Sequence, residues 1–326
     1  MGGELNNPFP LTGKTVWVAG ETGMVGSATI RRLASEDCTL LSATRKDFDL
    51  RDQSSVTTWM KKSRPNIVVV AAATVGGIYA NSTRPAEFLY DNLMIESNII
   101  HAAHEAGTEK LLFLGSACIY PRDAAQPMAE NALLTGPLEP TNEWYAVAKI
   151  AGIKLCQAYR KQYGSDFISA QPNNLYGSGD NFDPQSSHVI PALIRKTHQA
   201  KEMGDATVDI WGTGRPLREF LHVDDLASAC ITIMQKVDAM NLYERGISHL
   251  NVGSGSEISI KNLAFLIKKI IGYSGKIVFD KSKPDGMPRK FLDSKRVLDI
   301  GWYPKIDLED GIKGVYKVYT SNEKEI

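Results

Sequence analysis

The sequence has only four cysteines in 326 residues, Cys38, Cys118, Cys156 and Cys230, and no two of them stand at a metal-ligand spacing. That sparsity argues against a disulfide framework and against a zinc site. In a reducing compartment the four are expected as free thiols. Net charge is lacking too: 37 Lys and Arg balance 37 Asp and Glu. General nucleic-acid or membrane-surface binding rests on a basic excess, which this chain does not have. A local basic pocket for one phosphorylated ligand stays open. No apolar run approaches the roughly 18 residues needed to span a bilayer. The opening Met1–Asn7 lacks the basic and apolar stretches of a secretory signal. A cytoplasmic protein is therefore expected. Repeats, low-complexity tracts and flexible linkers are absent as well.

What is present is an ordinary globular composition, 43% hydrophobic and 23% charged. The length suffices for one large domain or two unequal ones. Apolar, β-branched runs predict strands at Lys14–Ala19, Thr39–Ala43, Asn66–Ala73, Lys110–Leu114 and Phe167–Gln171. Continuous apolar runs suit parallel strands buried on both faces. Helical spacing predicts Met24–Ser35, Ser54–Lys62, Pro85–Ala106 and Asn142–Tyr163 between them. This alternation predicts an α/β fold with a doubly wound parallel sheet of Rossmann type. Beyond residue 180 the alternation loosens, and Pro, Trp and Gly become frequent. The expected division is a dinucleotide-binding domain over 1–180 and a mainly substrate-binding lobe over 181–326. Segments within about 219–253 are expected to return to the first domain.

Gly20-Glu21-Thr22-Gly23-Met24-Val25-Gly26 follows the first strand and opens a helix. Glycine lets the backbone turn sharply and approach a pyrophosphate, and the helix N-terminus offers free N–H groups. The second strand ends at Ser42-Ala-Thr-Arg45-Lys46-Asp47. An acidic residue there would grip the ribose of NAD, whereas Arg45 suits a 2′-phosphate and so NADP(H). Asp47 and Asp49 nearby weaken that preference.

Ser116 follows the fourth strand, and Tyr145 and Lys149 lie four apart on one helical face. An ammonium near a phenol is expected to lower its pKa towards working pH. Ser116 can bond the same carbonyl oxygen, which makes the trio a proton relay for hydride transfer.

The glycine loop, Ser116 and Tyr145-x-x-x-Lys149 resemble the extended short-chain dehydrogenase/reductases. Further runs are similar to the GDP-L-fucose synthase family in particular. They include Val75–Asn81, Asn92–His101, Gly115–Pro121, Glu139–Tyr145, Asn174–Gly177, Ser187–Ala192, Arg218–Asp225 and Lys283–Arg289. The resemblance spans Lys14 to about Leu308. It implies epimerisation of GDP-4-keto-6-deoxy-D-mannose at C3 and C5, then NADPH-dependent reduction of the C4 ketone. It assigns Cys118 and His188 as the acid/base pair of epimerisation, and Ser116, Tyr145 and Lys149 to reduction.

The same resemblance places the cofactor along Gly20–Gly26 and against Arg45, Asp49 and Leu50. It adds Leu114, Gly115 and Ala117, then Pro172, Asn173, Asn174 and Leu175, with Lys149 and His188. Lys196, Trp211, Arg218 and Asp285 match positions that contact the GDP-sugar. A homodimer is implied through the two long helices. Glu21-Thr22 departs from the basic residue frequent in this loop, and Lys196 stands where an Arg is common.

The chemistry stands without the resemblance. Carbons flanking a ketone lose protons because the carbanion delocalises as an enolate, and groups that bond the ketone oxygen stabilise that enolate. Inversion needs a base on one face and an acid on the other, and thiol and imidazole both exchange protons near neutrality. Four rivals stand beside this reading. The extended-family dehydratases resemble one another in an Asp-Glu pair where Ala117-Cys118 stands here. A simple 4-epimerase of nucleotide sugars needs no Cys118–His188 pair. A related enzyme forming GDP-L-colitose would use the same residues. A non-catalytic NADP-binding protein would have no use for Tyr145 and Lys149.

Overall fold

The computed structural model describes residues 8–283 and 285–322. Met1–Asn7, whose composition bears on secretion, and Pro284 within the Lys283–Arg289 run lie outside the described residues, as do 323–326. In chain order the first elements are β1 (Lys14–Ala19), α1 (Met24–Leu33), β2 (Cys38–Leu41), α2 (Gln53–Ser63), β3 (Ile67–Val70), α3 (Ile78–Thr83), α4 (Pro85–Glu105) and β4 (Lys110–Leu114). There follow α5 (Glu143–Tyr163), β5 (Asp166–Pro172), β6 (Asn174–Tyr176), α6 (Val189–Met203), β7 (Thr207–Trp211), β8 (Leu217–His222), α7 (Val223–Lys236) and α8 (Ala239–Tyr243). The chain ends with β9 (Leu250–Val252), β10 (Glu257–Ser259), α9 (Ile260–Ile271), β11 (Lys276–Asp280), β12 (Arg289–Lys290), α10 (Lys295–Asp299) and α11 (Leu308–Asn322).

Six strands form a parallel sheet in the order β2-β1-β3-β4-β5-β9. This is the α/β architecture the alternation predicts. Strand pleating sends successive side chains to opposite faces, so each inner strand feeds two cores. Val16 and Val18 of β1 pack with Leu226, Cys230 and Met234 of α7. Trp17 and Ala19 join Ile95 and Ile99 of α4 and Ile153 of α5 on the other face. Strand order reverses at β1 and β3, and ligands of open α/β sheets bind at the carboxyl ends beside such a point.

Two strand ends fall short of the sequence expectation by two residues or more, and the other ends agree to within one. The second strand closes at Leu41, because Ser42 leaves the sheet and its hydroxyl bonds the Glu21 carboxylate at 2.5 Å. The third ends at Val70, although the apolar run continues to Ala73. Ala71 and Ala73 instead face the cavity described below.

The later chain builds small sheets over the carboxyl edge. The first half of β8 pairs with β10 and β12, and its second half with β6. β7 pairs with β11. Tyr176, Leu193, Ile210, Phe220 and Leu263 fill a separate core there. Fully buried Glu219 of β8 ties the layers together. It accepts hydrogen bonds from Asn173 Nδ2 at 2.5 Å, from Leu292 N at 3.1 Å and from Gly255 N at 2.8 Å.

Candidate active site

The glycine loop turns between β1 and α1. Gly20 sits at φ +90°, a conformation that side chains disfavour. A Cβ on Gly26 would lie 2.0 Å from the Gly20 carbonyl oxygen, so the first turn of α1 can press on the loop only without one. Gly23 caps α1 with no side-chain bond to the helix amides. Those N–H groups, with the positive end of the helix dipole, remain for an anion.

A cavity of about 320 Å³ opens beyond this loop, between the sheet's carboxyl edge and the later lobe. Met24, Val25, Leu114, Gly115 and Ala117 line it, and so do Pro172, Asn173, Asn174 and Leu175. The catalytic candidates Ser116, Cys118, Tyr145, Lys149 and His188 line the same cavity, as does Arg218. Residues distant in sequence thus meet at one place.

Local structure explains the placements. Ser116 stands two residues beyond β4 and caps the short turn Ala117–Ile119, its Oγ accepting from the Cys118 N–H at 3.4 Å. That turn buries the thiol beside it. Tyr145 stands in the first turn of α5, with Phe88 edge-on at 6.3 Å. Lys149 comes one turn later and donates from Nζ to the Leu114 carbonyl at 3.1 Å. Its ammonium is 5.8 Å from the Tyr145 ring centroid.

Burial governs the electrostatics. It pushes the Cys118 thiol up, opposed by Lys290, a bond from Ser116 and Lys149. It lowers the His188 imidazole, and the Lys290 cation lowers it further. His188 is exposed as a residue, and protein packs closely round its imidazole on the cavity wall. The Tyr145 phenol is raised well above its usual value by burial, then by Cys118 and Glu96. A lowered phenol was expected. Burial dominates, and the Lys149 ammonium is itself depressed by burial.

Other candidates lie outside the cavity lining. Arg45 is exposed. The Asp49 carboxylate pairs with Arg51 at 2.7 Å, and Arg51 also reaches Asp91. Leu50 is half-buried, and its carbonyl accepts from Asn98. Asp285 accepts from the Thr213 N–H and hydroxyl at 2.6 and 2.7 Å, which fixes the turn after Trp211. Trp211 is 59% exposed, with the Lys196 and Lys283 ammonium groups 5.9 and 5.6 Å from its ring.

Lys290 is a residue that the sequence reading missed. It lines the cavity and influences both Cys118 and His188. Its two-residue strand carries no periodic signal, and only its place next to the Lys283–Arg289 run could have drawn attention. With Lys149 and Arg218 it makes the cavity cationic in a chain of zero formal charge.

The residues fit a dinucleotide. The glycine cradle, the free amides of α1 and the apolar Ala71, Ala73 and Leu175 are arranged for one. The Asn142 side-chain oxygen, also on the cavity wall, is buried with no partner and suits a polar ligand.

The sequence matches the NAD dependent epimerase/dehydratase family over residues 16–253. It is 55% identical to a GDP-L-fucose synthase of Sinorhizobium fredii, over 96% of this chain and 98% of that one. It is 40% identical to the GDP-L-colitose synthase of Yersinia pseudotuberculosis, over 95% and 98%. Among solved structures, a GDP-6-OMe-4-keto-L-xylo-heptose reductase from C. jejuni superposes with a TM-score of 0.91 at 36% identity, covering 97% and 100%. A GDP-L-fucose synthetase from Naegleria fowleri bound to NADP superposes at 0.87 with 27% identity, covering 97% of each chain.

Proposed function

The chain belongs to the NAD dependent epimerase/dehydratase family, and from that premise we propose that it converts GDP-4-keto-6-deoxy-D-mannose to GDP-L-fucose. It is an NADP(H)-dependent enzyme that epimerises C3 and C5 and then reduces the C4 ketone. One observation carries the reading: a single cationic cavity holds a reductase trio together with a thiol and an imidazole. Reduction alone has no use for the last two. The greater identity to a fucose synthase than to the colitose synthase favours the 6-deoxy sugar that keeps its 3-hydroxyl.

Gly20–Gly26 and the first turn of α1 would hold the pyrophosphate of NADP, and Leu114–Ala117 and Pro172–Leu175 the nicotinamide half. When bound, the cofactor supplies the hydride that the ketone carbon receives. Everything else is done by the chain's own groups. Ser116 and Tyr145 bond the C4 oxygen. Held there, that oxygen takes up charge as the enolate when a proton leaves C3 or C5. Cys118 and His188 exchange the proton. The neutral thiol has one to give and the neutral imidazole has a lone pair to take one, which is the state burial imposes on both. In the reductive step Tyr145 gives its proton to the same oxygen, and its raised pKa keeps that proton in place at neutral pH. Lys149 stabilises the phenolate left behind. Arg218 and Lys290 offer cations to the diphosphate and sugar, and Trp211 with Lys196 offers a stacking rim.

The rest of the assignment follows the same reading. Residues 1–180 form the cofactor unit, and 181–326 mainly the substrate lobe, with parts of 219–253 belonging to the first. Two copies pair through α4 and α5, where Tyr90, Trp144, Val147 and Tyr163 stand exposed. The compartment is the cytoplasm. No helix among the described residues is long and apolar enough to cross a membrane.

The test is to supply GDP-4-keto-6-deoxy-D-mannose and follow NADPH absorbance, with the product identified by NMR. Oxidation yielding GDP-L-fucose is expected. No oxidation with any 4-keto GDP-sugar overturns the reading.

A further inference from the structure

Glu96 lies in the middle of α4, 2% exposed, behind the wall that carries Lys149. Neither of its carboxyl oxygens has a hydrogen-bond partner of ordinary geometry, and the Gly152 backbone N–H is the smallest of the influences on it. The Lys149 ammonium stands 3.9 Å away and is equally buried. A carboxyl in a core position without hydrogen bonds costs free energy that an apolar residue of similar size would avoid. The geometry gives that cost a use, because the one charge it faces belongs to the group on which Tyr145 depends.

We propose that Glu96 is a positioning residue of the reaction: it keeps the proton on Lys149, so that an ammonium faces Tyr145 in a pocket dry enough to neutralise it. The proposal rests on the reading of Tyr145 as proton donor. Burial depresses Lys149, and Glu96 is the largest influence that raises it, followed by Cys118. Burial also pushes the Glu96 carboxyl up to about 8. Carboxylate and ammonium each favour the charged form of the other, so the negative charge that forms on Glu96 as pH rises holds the proton of the lysine. Tyr145, Cys118 and Cys156 are the other titratable groups near the pair. All three are pushed up by burial and remain neutral in this range, Cys156 to about 12. Lys290, beyond Cys118, is a second cation and gives no support.

The experiment compares wild type with Glu96→Gln and Glu96→Asp. The pH profile of kcat for NADPH oxidation with the 4-keto GDP-sugar is one readout. The pH profile of solvent-deuterium incorporation into the sugar without NADPH is the other. In Glu96→Gln the alkaline limb of both profiles should move down by about one pH unit or more, with KM for the sugar within about twofold. Glu96→Asp, which keeps the charge on a shorter arm, should return part of the shift. Limbs that coincide in wild type and Glu96→Gln overturn the proposal. So does a fall in kcat that is uniform across pH, or a change confined to KM, because a structural role alone would do either. A wild type that neither oxidises NADPH nor incorporates deuterium overturns the function reading itself, and this proposal with it.

Discussion

Replacing the Cys118 thiol with a hydroxyl keeps nearly the same shape and puts a much weaker acid where the thiol proton stands. Cys118→Ser should therefore lower deuterium incorporation at C3 and C5 by about a hundredfold or more. Full incorporation in D2O, read by NMR, would remove Cys118 from the mechanism. Tyr145→Phe removes the donor to the C4 oxygen and should lower kcat for reduction by about 10² to 10⁴ with little change in KM. Unchanged turnover would contradict its role. At this scale the sequence was informative about identity and poor on electrostatics. A Tyr and a Lys four apart specify a shared helix face, which the structure has. They do not specify how dry that face is, and dryness sets the sign of the Tyr145 shift. Lys290 and Glu96 escaped for a related reason. Each gains meaning only from a partner more than 50 residues away, Cys118 for one and Lys149 for the other.

The turn from β1 into α1 is built on a contact between backbones, so its tolerance differs from glycine to glycine. In Gly26→Ala the new methyl would meet the Gly20 carbonyl and lie 2.8 Å from the Glu21 Cα. Overpacking of that kind costs about 1–3 kcal/mol and here displaces the loop that would hold the pyrophosphate. A fluorescence titration should show NADPH affinity weakened about tenfold or more, with a lower Tm. Gly314→Ala on α11, whose Cβ would meet nothing within 4 Å, is the control and should bind as wild type. Equal affinity in both variants would sever cofactor binding from the packing of this turn. Element positions were legible where an apolar run and a strand are the same thing. β1 and β4 keep the ends their composition marks. Where an apolar run lines a cavity, as at Ala71–Ala73, composition overstates the strand. The small sheet around β8 was not legible. Its strands are two to six residues long and come from four separate stretches between Asn174 and Lys290, pairings that local periodicity does not encode.

Over the whole molecule, the site gathers ionisable groups that the fold holds away from their ordinary states, and this has a consequence for stability. Glu96 is raised from 4.5 to about 8 and Asp180 from 3.8 to about 7, both mainly by burial. A carboxyl with a raised pKa binds its proton more tightly in the folded chain than in the unfolded one. Its contribution is complete below the unfolded value and is lost as pH rises through the folded value. For Glu96 that window runs from 4.5 to about 8. The lowered histidines His188, His222 and His249 act in the opposite sense, but only below their unfolded value of 6.5. Between pH 6.5 and 8 the histidines drop out and the carboxyls lower stability as pH rises. The depressed Lys149 and Lys290 act in the opposite sense. Each proton is worth about 1.4 kcal/mol per pH unit. Comparing wild type with Glu96→Gln cancels the titrations that do not touch the pair and leaves Glu96 together with its effect on Lys149. The Tm of wild type relative to the variant should fall by a few degrees, roughly 2–6 °C, from pH 6.5 to 8. A difference that stays flat across that range would mean that Glu96 is already ionised at neutral pH. It would then hold Lys149 as a permanent ion pair, not as a reserve of charge that appears when the lysine needs it.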